Sequence, residues 1–268
     1  MDIIKRNFFR LLRSGALNEF DMLEPMSGFK WKRLAQIVES QKVVAIALKG
    51  IKNHQFDENF RIPSDLIQHL EQIVTDEQQP TDLAPQMANT ILNNRLKRIR
   101  HNERHALDTS TETLRLLDII LCNTAQILNK GIPLSGIIEL GRYLRTKGHK
   151  VDFVKLDAWI DRLHIRRMAQ LQGSILMATL NFEANELPFV HHVERQAYAL
   201  ALRTLTHTQI DATEEWNFRT GKTGFVHNNN KMLRRNLRRS IRYINYAPIE
   251  TTSNFFANLA RSLSEIEE

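Results

Sequence analysis

The chain has 268 residues, of which 42% are hydrophobic and 25% charged, a balance that excludes a disordered or fibrous protein and supplies enough apolar surface for a core. Ten Gly, seven Pro and an aromatic content of 7% suit helices better than the many turns of an all-β fold. Lys and Arg number 37 against 30 Asp and Glu, a net charge of +7 that permits a polyanionic partner without naming one.

Phe8, Phe9, Leu11, Leu12 and Leu17 predict a short opening helix, followed by a turn-rich stretch from Asn18 to Ser27. Ser27 is placed to cap a helix whose apolar positions Trp31, Leu34, Ala35 and Val38 recur at helical spacing. Val43 to Ile51 starts β-branched, yet Ala45, Ala47, Leu48 and Lys49 favour a helix entered from the Ser40-Gln41 corner. Pro63 opens a helix through Leu66, Ile67, Leu70 and Val74, since a first turn has no use for the missing N–H. Asp76 to Pro85 reads as a linker, and a long helix is expected from Gln86 to Leu107. Asp108-Thr109-Ser110-Thr111 supplies caps for a helix from Glu112 to Asn129, which Lys130-Gly131 ends.

Helices from Pro133 to Gly148, Asp152 to Leu163 and His164 to Leu180 come next, the last two broken at the charged corner Arg162 to Arg167. Ala184 to Pro188 is a loop and Val193 to Leu205 a helix. Thr206 to Asn230 is polar and long for a compact domain, which makes it a flexible excursion, a small hairpin or a binding loop. Lys231 to Asn245 and Glu250 to Ser264 close the chain as helices around Tyr246-Ala247-Pro248. The expectation is an all-α multi-helix bundle in which an N-terminal region (1–107), a central bundle (108–205) and a polar loop with basic C-terminal helices (206–268) form one compact unit.

The single cysteine, Cys122, ends the apolar run from Leu116, which excludes an internal disulfide or a cysteine-based zinc site and points to a buried thiol in a cytoplasmic protein. Charges interrupt Met1 to Arg10 every few residues, and nowhere do about 18 uncharged apolar residues run together, so no export signal and no membrane association are expected.

Motifs for catalysis are sparse. Gly221-Lys222-Thr223 ends like a phosphate-binding loop, but Trp216 stands where that loop needs its first glycine and no apolar strand precedes it. His101 and His105 share a helix face at i, i+4, yet Asn102 replaces the glutamate of HExxH, and Arg98, Arg100 and Arg104 oppose a divalent cation there. The adjacent His191 and His192 diverge on any regular element. No GxSxG and no GxGxxG is present, so no catalytic, cofactor-binding or metal-binding residue is assigned.

The strongest signal is the segment from Lys231 to Ile244. Lys231, Arg234, Arg235, Arg238, Arg239 and Arg242 are six cations without an acid, beside a stripe of Leu233, Leu237, Ile241 and Ile244. These cations, with Arg98, Arg100 and Arg104, are the candidate surface for an anionic partner, a nucleic acid or an acidic protein. A purely structural role is the commoner use of such a helix: the stripe docks on the core while the arginines pair with acids such as Glu265, Glu267 and Glu268.

Several segments together resemble a bacterial family of uncharacterised nucleotidyltransferases. That family has an opening Leu-Leu helix and a tryptophan helix WxxLxxxAxxxxV, which Trp31-Lys32-Arg33-Leu34 through Val43 resembles. Asn93-Asn94-Arg95-Leu96 is similar to the start of its long helix. Gly131 to Leu144 resembles its GIxLRxxxDxAxxL segment, and Asp152-Phe153 through Ala169 its DWxxLxxxxxxLGLRRA segment. The basic stretch from Arg234 to Tyr246 looks like the closing segment.

Between its helical regions the family carries a catalytic palm, a small sheet with a Gly-Ser pair and an Asp-x-Asp whose carboxylates hold Mg²⁺ for the triphosphate. Here the chain passes from Leu107 to Glu112 with no room for a sheet, and the only Gly-Ser pair, Gly173-Ser174, sits in a helix-like stretch with no Asp-x-Asp after it. Ser135 and Glu139 replace the family's arginine and aspartate. The resemblance therefore implies a degenerate, non-enzymatic scaffold with the palm deleted. The alternative is an active nucleotidyltransferase, or a subunit of one, in which Mg²⁺ and NTP are held by other residues or by a partner chain. The two helical halves also echo each other at an offset of 122 positions, where Trp31, Leu34, Val38, Val43 and Ile46 match Phe153, Leu156, Ile160, Ile165 and Met168.

Overall fold

A computed structural model describes residues 2–56, 62–76, 84–205 and 226–264; the side chains of 75–76, 226–233 and 261–264 fall outside that description. Every regular element among the described residues is helical. In chain order these are α1 (Ile3–Leu17), α2 (Gly28–Ser40), α3 (Val44–Asn53), α4 (Ser64–Asp76), α5 (Thr90–Arg104), α6 (Thr111–Asn129), α7 (Leu134–Lys147), α8 (Phe153–Arg162), α9 (Arg166–Leu180), α10 (197–205), α11 (Val226–Tyr243) and α12 (Pro248–Ser264). Short 3₁₀ turns lie at Gly148–Lys150 and Ala184–Glu186. The fold is an all-α multi-helix bundle, and no helix is long and apolar enough to cross a membrane among the described residues.

Helix starts follow the capping chemistry of the sequence. Asp2 and Asp152 accept the backbone N–H groups of Ile4 and Lys155 at 3.2 and 2.9 Å. The long helix expected from Gln86 starts instead at Thr90, because Asn89 is extended and its side chain accepts Leu92 N–H at 3.0 Å. Ser27 and Ser110 stand at N-cap positions without a side-chain cap bond. α10 begins four residues later than the helix expected from Val193. Cys122 is partly rather than fully buried, and burial raises its thiol pKa.

The offset of 122 positions proves to be a repeated backbone device. α2 and α3 meet at a corner where Lys42 has φ +54°, and α8 and α9 meet where His164 has φ +53°. Lys42 N donates to Glu39 O at 3.0 Å and Val43 N to Val38 O at 3.2 Å; His164 N donates to Asp161 O at 3.0 Å and Ile165 N to Ile160 O at 3.1 Å. Two helix–corner–helix units of the same geometry thus recur in one chain. Of the apolar matches seen in sequence, Trp31, Leu34, Val38 and Val43 in one unit and Leu156, Ile160, Ile165 and Met168 in the other are buried, while Ile46 and Phe153 are half-buried.

Buried side chains from Ile4 to Ala247 form one hydrophobic core. α1 and α3 cross at two glycines, where a Cβ on Gly15 would lie 1.9 Å from Ile46 O and one on Gly50 2.2 Å from Leu11 O. The C-terminal pair is tied to the rest by polar ends. Buried Glu250, in the first turn of α12, accepts the N–H groups of Ala88 and Asn89 at 2.5 and 3.1 Å ahead of α5. Asn89 Nδ2 donates to Ser253 Oγ at 2.9 Å. At the end of α6, Arg239 donates to Asn129 O, while Asn254 and Asn258 each donate to Asn129 Oδ1 at 3.0 Å.

Two stability outcomes follow. A left-handed backbone strains any side chain with a Cβ, so Lys42→Gly is expected to raise stability by about 0.5–1 kcal/mol in urea unfolding. His164→Gly gains less, because it also removes the ring that Arg95 Nη1 meets at 3.0 Å. Burial raises the Glu250 pKa, so the native state holds that proton more tightly than the unfolded chain. Its contribution is full below the ordinary carboxylate pKa and is lost as pH rises through the raised value. Glu250→Gln, which cannot titrate, should therefore gain on wild type in melts as pH rises from about 4 towards neutrality.

Candidate anion-binding surface

α5 separates its charges by face. Leu92, Leu96, Ile99 and Glu103 are buried on one side, whereas Lys97, Arg98, His101, Arg104 and His105 are exposed along the opposite arc. Glu103 is the only acid between Ala84 and Leu107, and it belongs to the inner face at 6% exposure. There it accepts Lys155 Nζ at 3.2 Å and Ser110 N–H at 2.6 Å, joining α5 to α8 and to the start of α6. The nearby Asp108 is also engaged by Lys155, at 3.6 Å. The outer face of α5 is left without an acid, with the permanent charges on Lys97, Arg98 and Arg104. Arg104, in the last turn, is also favoured by the negative C-terminal end of the helix dipole.

The remaining arginines of this region are held. Arg100 donates to Asp118 Oδ1 at 2.5 Å and to Pro85 O at 3.0 Å. Arg95 Nη1 reaches Arg162 O at 3.0 Å, at the corner between α8 and α9. The rings of His101 and His105 lie 4.4 Å apart, and His105 Nδ1 is 2.7 Å from His101 O, so the two imidazoles contact each other on the surface.

α11 differs from the expectation of an apolar stripe docked on the core. Leu237, Ile241 and Ile244 are exposed, together with Arg234 and Arg238. Arg235, Arg239 and Arg242 are half-buried toward the body and Tyr243 is buried. The reason lies at the end of α6: the unsatisfied carbonyl of Asn129 calls for a donor, and Arg239 supplies it. The helix is thereby turned so that its arginine edge, not its isoleucine edge, faces inward. Leu233 and Lys231, and the acids Glu265, Glu267 and Glu268, lie outside the described side chains.

Other clusters are neutralised. A cleft of about 260 Å³ beside α1 is lined by Arg6, Phe9, Arg10, Arg13, Ala178, Thr179 and Tyr198. Its guanidiniums already hold Glu24, at 2.6 Å from Arg6 and 2.9 Å from Arg10, while Arg13 holds Asp21. The Arg6 hydrogen bond accordingly lowers the Glu24 pKa. Asp157 and Asp161, one turn apart on α8, are both paired with Arg166, whose hydrogen bond lowers the Asp161 pKa. His191 joins this cluster at 3.0 Å from Asp157 Oδ2.

Ser174 is buried in α9, where its hydroxyl donates to Gln170 O at 2.7 Å and accepts Glu194 N–H at 2.9 Å. A Cβ on the neighbouring Gly173 would lie 2.3 Å from Val190 Cγ2. The Gly173-Ser174 pair therefore serves helix packing. Gly221-Lys222-Thr223 lies outside the described residues, and no group of three metal-ligating side chains occurs among the described ones.

The inventory of arginines was legible in the sequence. Which of them stay available was not, because that depends on which carboxylates turn inward. A usable signal was present: Glu103 falls in helical register with Leu92, Leu96 and Ile99. Comparison with protein-family models, with curated proteins and with solved structures finds no match to this chain.

Proposed function

We propose that this chain is a non-enzymatic helical scaffold that binds an anionic partner, and that the partner contacted by α5 is the phosphate backbone of a nucleic acid. The observation that carries the reading is the withdrawal of Glu103, the single acid of its stretch, from a helix face that otherwise presents Lys97, Arg98 and Arg104. Among the described residues these three have no carboxylate partner. A convex row of cations meets regularly spaced phosphates without reading bases, so the binding is sequence-independent. The helical frame resembling the nucleotidyltransferase family supplies the rigid support.

The test is fluorescence anisotropy of a labelled duplex titrated at several salt concentrations. Three phosphate contacts give a slope of log K against log salt of about −3, and Arg98→Ala/Arg104→Ala is expected to weaken binding and reduce that slope by about 2. A slope untouched by the double variant contradicts the assignment of α5. Thermal stabilisation by MgATP that chelator abolishes contradicts the non-enzymatic reading and supports the nucleotidyltransferase alternative.

A further inference from the structure

α11 and α12 form a helical hairpin whose inner faces meet the same residue. Arg239 reaches Asn129 O from α11, and Asn254 and Asn258 reach Asn129 Oδ1 from α12. Residues two positions from these anchors lie about 200° around each helix, on the side turned away from α6. Leu237 and Ile241 occupy that side of α11, and Phe256 occupies it on α12. Their exposures agree: 44% for Leu237, 63% for Ile241 and 64% for Phe256, with Ile244 at 37% and Ile249 at 38% near the hairpin turn. Single exposed apolar side chains are ordinary, whereas an aligned set on two adjoining helices marks a docking surface.

The charge on this surface selects its occupant. Arg234 and Arg238, one turn apart, border the apolar stripe of α11. Neither helix exposes a carboxylate among the described residues: α11 contains no acid, and Glu250 of α12 is buried under the N-terminus of α5. Among the described residues, a second copy of this face would bring arginines toward arginines with no carboxylate of either helix exposed to neutralise them. The stripe from Arg234 to Ile244 runs about 16 Å, or three helical turns. We propose that the outer face of the α11–α12 hairpin docks an acidic amphipathic helix of a partner protein, with an apolar stripe seated between the two helices and carboxylates at i, i+4 opposite Arg234 and Arg238. The inference is independent of the nucleic-acid reading, which concerns α5.

The experiment uses the full chain and a labelled amphipathic peptide of about 20 residues, with leucine along one helical face and glutamate at the flanking positions. Controls are a scrambled peptide and one with lysine for glutamate. The acidic amphipathic peptide is expected to bind. Ile241→Ser and Arg234→Glu/Arg238→Glu are each expected to weaken it at least about tenfold, while Arg98→Ala/Arg104→Ala leaves it unchanged. All substituted side chains are exposed, and unchanged thermal melts establish that the variants fold. Absence of binding, equal binding of the scrambled or lysine peptide, or indifference to Ile241→Ser overturns the proposal. So does a dimer that dissociates on Ile241→Ser, which would make a second copy the occupant, or sedimentation with phosphatidylglycerol vesicles in place of peptide binding.

Discussion

A carboxylate taken out of water must recover its solvation from fixed donors or it destabilises the fold by several kcal/mol. Glu103, Glu194 and Glu250 are buried, each against donors of a different element; for Glu250 the donors offset burial only in part, and its pKa stays raised. Glu103 accepts from Lys155 and from the N–H that opens α6. Glu194 is held in a fork by Arg167, with contacts of 2.7 and 3.2 Å. The guanidinium of Arg167 lies 5.0 Å from the centre of the Tyr246 ring, between α11 and α12. Glu250 accepts two N–H groups ahead of α5. The same three contacts that fasten α5, α9 and the C-terminal hairpin also remove three negative charges from the surface.

That coupling between stability and surface sign explains why a modest net charge of +7 becomes a locally strong one. Charges that pair internally, as around Arg6, Arg10 and Arg13, build the fold and leave a neutral cleft. Charges whose neighbouring acids are withdrawn inward face solvent alone, as on α5. The surfaces that result are convex helix faces. Their geometry suits an extended or helical macromolecule better than a small molecule, which needs a concave site with converging polar groups.

Helical periodicity carried most of the architecture. Trp31, Leu34 and Val38 place α2, and Leu156 and Ile160 place α8, because apolar spacing is a local property that burial then enforces. The offset between those stretches was visible as apolar matches, but its meaning lay in the backbone: Lys42 and His164 share a left-handed corner that their side chains do not announce. The orientation of α11 escaped for a different reason. Amphipathicity alone points Leu237 and Ile241 inward, whereas the carbonyl end of α6 rewards an arginine there, and that partner lies 110 residues away in sequence. Sequence named the cations, and tertiary pairing divided them into structural and available ones.

The most direct measurement is covalent modification of arginine and lysine side chains, mapped by mass spectrometry with and without a DNA duplex. The account requires Lys97, Arg98 and Arg104 to lose reactivity on binding while the exposed Lys32 and Arg33 of α2 keep theirs. Uniform protection of all exposed cations, or protection centred on α2 with α5 still reactive, would contradict it.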